Sequence, residues 1–242
     1  MNTVPVSARQ LRLASGLVLL TYLSLHLLTH MSGLVSLSLA EAGLRLSMQV
    51  WQSAPGTVAL YGAFLIHLAL ALRTVYLRRH RQLPLIEWVR LWGGFSLPLL
   101  LIGHVVATRV AVAGYGYEPS YARVIGGLIA AGSQGWQVAL LAPGWVHGCL
   151  GVWLSIRHRP AAQRLRPWLL GLLVATPLLS AAGFVRMERE VTEQRQAVAP
   201  RSPAVAQALT GWRHALLGVY GALVIGAAGA GVVRARTVGA LR

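Results

Sequence analysis

The chain is 242 residues long, with 22 basic against 6 acidic side chains and a formal charge of +16, yet 55% of it is hydrophobic, only 12% is charged and its mean hydropathy is +0.58. A nucleic-acid binder could carry that charge but would not gather its apolar residues into long unbroken runs, so the composition is that of a membrane protein. All 22 strong bases are Arg, all six acids are Glu and Cys149 is the single cysteine, which excludes lysine Schiff-base and phosphate-loop chemistry, aspartate catalysis, disulfides, four-thiolate clusters and c-type haem attachment.

A hydrocarbon core needs about 20 mostly apolar residues per helix. Six stretches qualify, at about 14–36, 57–77, 92–113, 136–156, 167–186 and 214–233. The first runs too long for a signal-peptide core and lacks a small-residue cleavage site, so it is read as a mature span. Between the spans, 38–54 and 119–132 have apolar residues at helical spacing and read as short helices on the outer membrane surface. The segment 187–212 is polar. No repeat and no low-complexity linker is evident, and the expectation is an all-α integral membrane six-helix bundle forming a single domain over 1–242.

The arginines set the orientation. With the N-terminus in the cytoplasm, the inner segments hold Arg9, Arg12, Arg78, Arg79, Arg81, Arg90, Arg157, Arg159, Arg164, Arg166, Arg234, Arg236 and Arg242 against the one acid Glu87. That is the positive-inside pattern, and both termini then lie in the cytoplasm. His80 and His158 fall in these inner loops and read as solvated.

Histidine distribution is the specific feature. His26 and His30 lie in the first span, His67 in the second, His104 in the third and His147 in the fourth. Ionisable groups within spans are costly and mark function. Counting from the cytoplasmic arginine of each helix, His67 and His147 sit about 15–17 Å deep and His26 and His104 about 21 Å. These are two matched pairs at two depths. Two imidazoles on facing helices can hold the iron of a flat macrocycle from both sides, a six-coordinate b-type haem suited to electron transfer. Zinc, the rival, wants four tetrahedral ligands that this composition supplies poorly; interhelical hydrogen bonding is the structural alternative. Gly103, Gly148 and Gly151 would let a flat ring approach the backbone, or serve ordinary small-residue packing. Arg73 and Arg109 stand where haem propionates need cations, or snorkel to the interface. His30, one turn beyond His26 on the same face, is an alternative ligand or a quinone-pocket residue. Tyr115, Tyr117, Tyr121 and Arg123 read equally as a quinone site or an aromatic belt. His214, beside Trp212 and Arg213, reads as interfacial.

The segments SGLVLLTYLSLH (Ser15 to His26), FLIHLALALR (Phe64 to Arg73), LIGH (Leu101 to His104) and VHGCLGVWLSIRHR (Val146 to Arg159) resemble the four haem-ligating helices of the dihaem cytochrome b anchors of succinate dehydrogenases and fumarate reductases, over about residues 10–185. The resemblance implies two haem b groups, one on the first and third of these histidines (His26, His104) and one on the second and fourth (His67, His147). Those anchors have five spans, and this chain has a sixth. The segments HMSGLVSLSLAEAG (His30 to Gly43) and APGTVALYGAFLIH (Ala54 to His67) look closer to the six-helix membrane domain that precedes certain bacterial class III adenylate cyclases. That resemblance implies a multi-pass module of the bacterial cytoplasmic membrane that exchanges electrons with quinone and acts as redox receptor and anchor for a cytoplasmic cyclase effector. The chain itself carries no catalytic motif. Partners implied are membrane lipid, quinone, the effector domain or an iron–sulfur subunit, and a second copy in a homodimer. Competing functions are a respiratory dehydrogenase anchor and a haem-free structural anchor.

Overall fold

A computed structural model describes residues 7–78, 84–194 and 201–240. His80, Arg79, Arg81 and Arg242 lie outside them. Among the described residues the chain is helical throughout, with no strand: α1 (Ala8–Ser32), α2 (Leu37–Trp51), α3 (Ala54–Leu77), α4 (Leu85–Val105), a π-helical turn (Val106–Val110), α5 (Ala111–Tyr115), α6 (Tyr121–Ala130), α7 (Gln134–Ile156), α8 (Pro160–Arg164), α9 (Arg166–Glu193) and α10 (Pro203–Ala240). Six helical segments are long and apolar enough to cross a membrane, α4 to α5 counting as one.

Local signals explain most boundaries. Ser7 opens α1 with a capping box to Gln10, and Ser36, Ser53 and Ser120 each accept a backbone N–H at the start of α2, α3 and α6. The first helix stops at Ser32, short of residue 36, because a turn at Gly33 precedes the Ser36 cap. Helix α9 runs on to Glu193 because its polar end has a role: the Glu190 carboxylate accepts from Leu37 N at 2.9 Å, at the start of α2. Helix α10 begins at Pro203, not near 214, and its 38 residues span about 57 Å.

Packing defines a ring. Helix α1 packs on α3 and α7, α7 on α4, and α10 on α3 and α4, closing the circuit α1–α3–α10–α4–α7; α9 lies outside on α1 and α7. Helices α1 and α4 therefore face one another across the bundle, as do α3 and α7. The amphipathic α2 and α6 cover one end, packed with α9 in a cluster of Leu37, Ala40, Tyr121, Ile125, Phe184 and Met187. Glu41 of α2 accepts from Ala122 N of α6 at 3.1 Å. We call this the lid end and the opposite one the arginine end.

The expectation of no repeat is corrected by this arrangement. Arg12-Leu13, Gly16 and His26 of α1 recur as Arg90-Leu91, Gly94 and His104 of α4, at a constant offset of 78. Ser53, Val58-Ala59-Leu60 and His67 recur as Ser133, Val138-Ala139-Leu140 and His147, at an offset of 80. The serines stand immediately before α3 and α7. The offsets and the packing pair α1 with α4 and α3 with α7, and the seat of α9 on α1 and α7 corresponds to that of α10 on α4 and α3. The symmetry breaks where α10 wedges between α3 and α4 while α1 and α7 touch directly. It breaks again after His104, where the third span continues through its π turn.

Candidate functional site

At the arginine end, His67 and His147 meet across the bundle with ring centres 6.3 Å apart and planes at 84°. Each ring is held at Nδ1. The His147 Nδ1 donates to the Arg90 carbonyl at 3.1 Å. The His67 Nδ1 lies 3.2 Å from the Ser15 hydroxyl, which itself donates to the Arg12 carbonyl at 3.1 Å. A side chain at Gly16 would reach His67 Cε1 at 3.2 Å and one at Gly94 would reach His147 Cε1 at 2.6 Å, so each glycine makes room for the histidine ring of its own half. Arg12 and Arg90 both lie within electrostatic range of His67, and Arg73 within range of Arg12. Arg12 also donates to Thr74 Oγ1 at 2.7 Å, and its Nε is buried without a partner. A cavity of about 240 Å³ beside His147 is lined by Arg90, Gly93 and Pro143 among others.

At the lid end, His26 and His104 approach with ring centres 6.0 Å apart and planes at 63°. On each of α1 and α4, ten residues separate the glycine beside one pair from the histidine of the other, so the pairs stand about 15 Å apart along the bundle. The His104 Nδ1 lies 3.1 Å from Gln137 Oε1. The His26 ring stacks on Tyr22 at 6.0 Å, and its Nε2 lies 3.3 Å from His30 Nε2. His30 is buried, its Nδ1 has no partner, and its ring packs on Tyr121 and Phe184. Burial pushes the Tyr121 hydroxyl well above its ordinary range, keeping it protonated. Arg109, in the π turn, lies within electrostatic range of Tyr22.

The donor sets suit a metal bridged from two sides. Two imidazole nitrogens each about 2 Å from one metal leave ring centres about 6 Å apart, matching the separations of 6.0 and 6.3 Å. An Nδ1 fixed by an acceptor leaves Nε2 free to ligate; three of the four rings have such a contact. Among the described residues no group of three or more His, Cys or Glu is arranged to hold a metal ion; the sets are pairs.

Several residues sit differently from expectation. The glycines beside the rings are Gly16 and Gly94. At Gly148 a side chain would strike Leu20 of α1, at Gly103 the nearest atom is Arg213 Nε at 3.9 Å, and at Gly151 the space is open. Arg73 is exposed, Arg109 half-buried, and His158 and His214 exposed. Tyr115, Tyr117, Tyr121 and Arg123 form no single group: Tyr115 and Tyr117 pack near Val106, Ala111 and Leu209, whereas Tyr121 lies in the lid. Arg123 and Arg201 both stand over the Tyr117 ring, at 5.8 and 5.5 Å. The sequence alone assigns no role to Ser15, Gly16, Gly94 and Gln137 and makes Arg12 and Arg90 markers of orientation and depth. For Arg12, Gly16, Arg90 and Gly94 the signal is the recurring Arg, Gly and His spacing.

No family model, no curated protein and no solved structure matches the chain.

Proposed function

We propose that the chain is a membrane-embedded dihaem b cytochrome module that exchanges electrons with the quinone pool and serves as redox receptor and anchor for a cytoplasmic class III adenylate cyclase effector. The observation that carries the reading is the meeting of equivalent histidines from two related halves, at 6.0 and 6.3 Å, on helices that face one another across the bundle. Bound haem would supply a reversible one-electron couple, and with a histidine pair to hold each group it would be suited to relaying electrons.

In this reading His67 and His147 hold one iron and His26 and His104 the other. Arg12, Arg73 and Arg90 offer propionates their cations at the arginine end, and Arg109 does so nearer the lid. Gly16 lets His67, and Gly94 lets His147, lie close to the backbone of the neighbouring helix in the same half. Tyr121, Phe184 and the rest of the lid shield the second pair from water. The positive-inside distribution puts the arginine end in the cytoplasm, so α10 delivers the chain to an effector on that side. Its length and its seat between the two halves favour the receptor over a five-span respiratory anchor.

Purified protein should show a low-spin b-type spectrum with close to two haems per chain. His67→Ala and His147→Ala should each leave one haem, as should His26→Ala and His104→Ala. Wild-type protein that stays colourless after incubation with haem sinks the proposal, and a haem lost with His30→Ala but kept with His26→Ala reassigns the first ligand.

A further inference from the structure

We propose that Gln137 is a positioning residue for the lid-end pair: its amide oxygen fixes His104 as the anchored ligand and sets the electron affinity of that site independently of the other. The inference rests on the two-haem reading and adds a residue to it.

An amide oxygen can only accept, so the contact at 3.1 Å requires the proton on His104 Nδ1 and leaves the Nε2 lone pair for a metal. A carboxamide in a spanning helix is costly, and among the described residues the Gln137 side chain hydrogen-bonds to His104 alone. Its place is fixed by the start of α7, three residues after Gln134. The internal repeat supplies a control. The offset of 80 maps Gln137 onto Thr57, whose hydroxyl donates to the Trp51 carbonyl at 3.3 Å. His26 therefore lacks the equivalent support and meets His30 instead. At the arginine end the acceptors are a main-chain carbonyl and a serine hydroxyl. Gln137 is thus the place where the two sites can be tuned apart. An acceptor on Nδ1–H makes the imidazole a stronger donor and favours oxidised iron; removing it favours reduction, and a carboxylate there strengthens the effect.

The test is a potentiometric titration of the full chain, in detergent or nanodiscs, following haem absorbance and the low-spin electron paramagnetic resonance signals of wild type, Gln137→Leu and Gln137→Glu. Gln137→Leu should lower the oxidised-to-reduced ratio of one haem about threefold at fixed potential, about 30 mV for a one-electron couple. Gln137→Glu should move the same haem the opposite way, and the haem that depends on His67 should not move. Loss of the lid-end haem in Gln137→Leu with retention in Gln137→Glu also supports the role. No shift, equal shifts of both haems, or loss of the lid-end haem in both variants overturns it. A wild type without haem fails the two-haem reading itself, whatever Gln137 does.

Discussion

The two histidine pairs come from the same duplicated framework, yet one has stayed nearly symmetric and the other has not. At the arginine end each half contributes the same set: an arginine (Arg12, Arg90), a glycine against its own half's ring (Gly16, Gly94) and a histidine (His67, His147). At the lid end His104 rests on Gln137, while His26 faces His30. A duplicated framework conserves what both halves must do alike, which is to bring one imidazole each to a shared axis. It is free to diverge where the two sites differ in task.

The largest expected effect breaks the symmetric site on one side. A leucine at Gly94 would begin with a Cβ 2.6 Å from His147 Cε1, a distance that forces the ring off its axis. Gly94→Leu should abolish the arginine-end haem and leave the other, read as a fall from two haems to one per chain. Gly16→Ala, whose Cβ would stand 3.2 Å from His67, should keep both haems and only broaden or shift the spectrum of one. Equal outcomes at the two glycines would remove the argument that they cradle the rings.

A second change acts on the less symmetric end. Gly183 of α9 lies so close to α1 that a Cβ would overlap the His30 carbonyl and crowd Leu34 N at 3.3 Å. Main chain cannot swing aside, so Gly183→Ala should cost about 1–3 kcal/mol. The loss should appear as a lower melting temperature, with the haem of His26 and His104 released first. Release of the other haem first would show that α9 does not support the lid end.

The spans, the two amphipathic connecting helices and the four paired histidines were legible in the sequence because hydropathy and the cost of burying imidazole both leave strong local signals. The duplication was not. Apolar positions such as Leu17 and Phe95, or Tyr61 and Leu141, differ both in side chain and in burial, Leu17 and Tyr61 being exposed and Phe95 and Leu141 buried, and such positions dilute the few residues that kept their spacing. The start of α10 escapes the hydropathy pattern because PAVAQAL, although apolar, is cut off from the main run by Thr210, Gly211, Arg213 and His214. Gln137 was missed because a single amide near a helix end carries no pattern, and only its distance to His104 gives it a role.

The smallest expected effect tests the symmetry most finely. Ser15 is buried, and its hydroxyl links His67 Nδ1 to the Arg12 carbonyl. The offset of 78 maps Ser15 onto Gly93, where no hydroxyl exists, and His147 takes the carbonyl of Arg90 directly. Arg12 is the equivalent of Arg90, and its carbonyl stands behind the Ser15 hydroxyl, accepting from it at 3.1 Å. Removing the hydroxyl by Ser15→Ala therefore leaves the imidazole an acceptor in the position its counterpart uses. The cost should stay below the about 1 kcal/mol typical of a lost hydrogen bond, with both haems kept and the arginine-end spectrum moved toward greater symmetry. A loss of the haem or a drop of several kcal/mol in stability would mean that the hydroxyl, and not the duplicated main chain, sets this ligand.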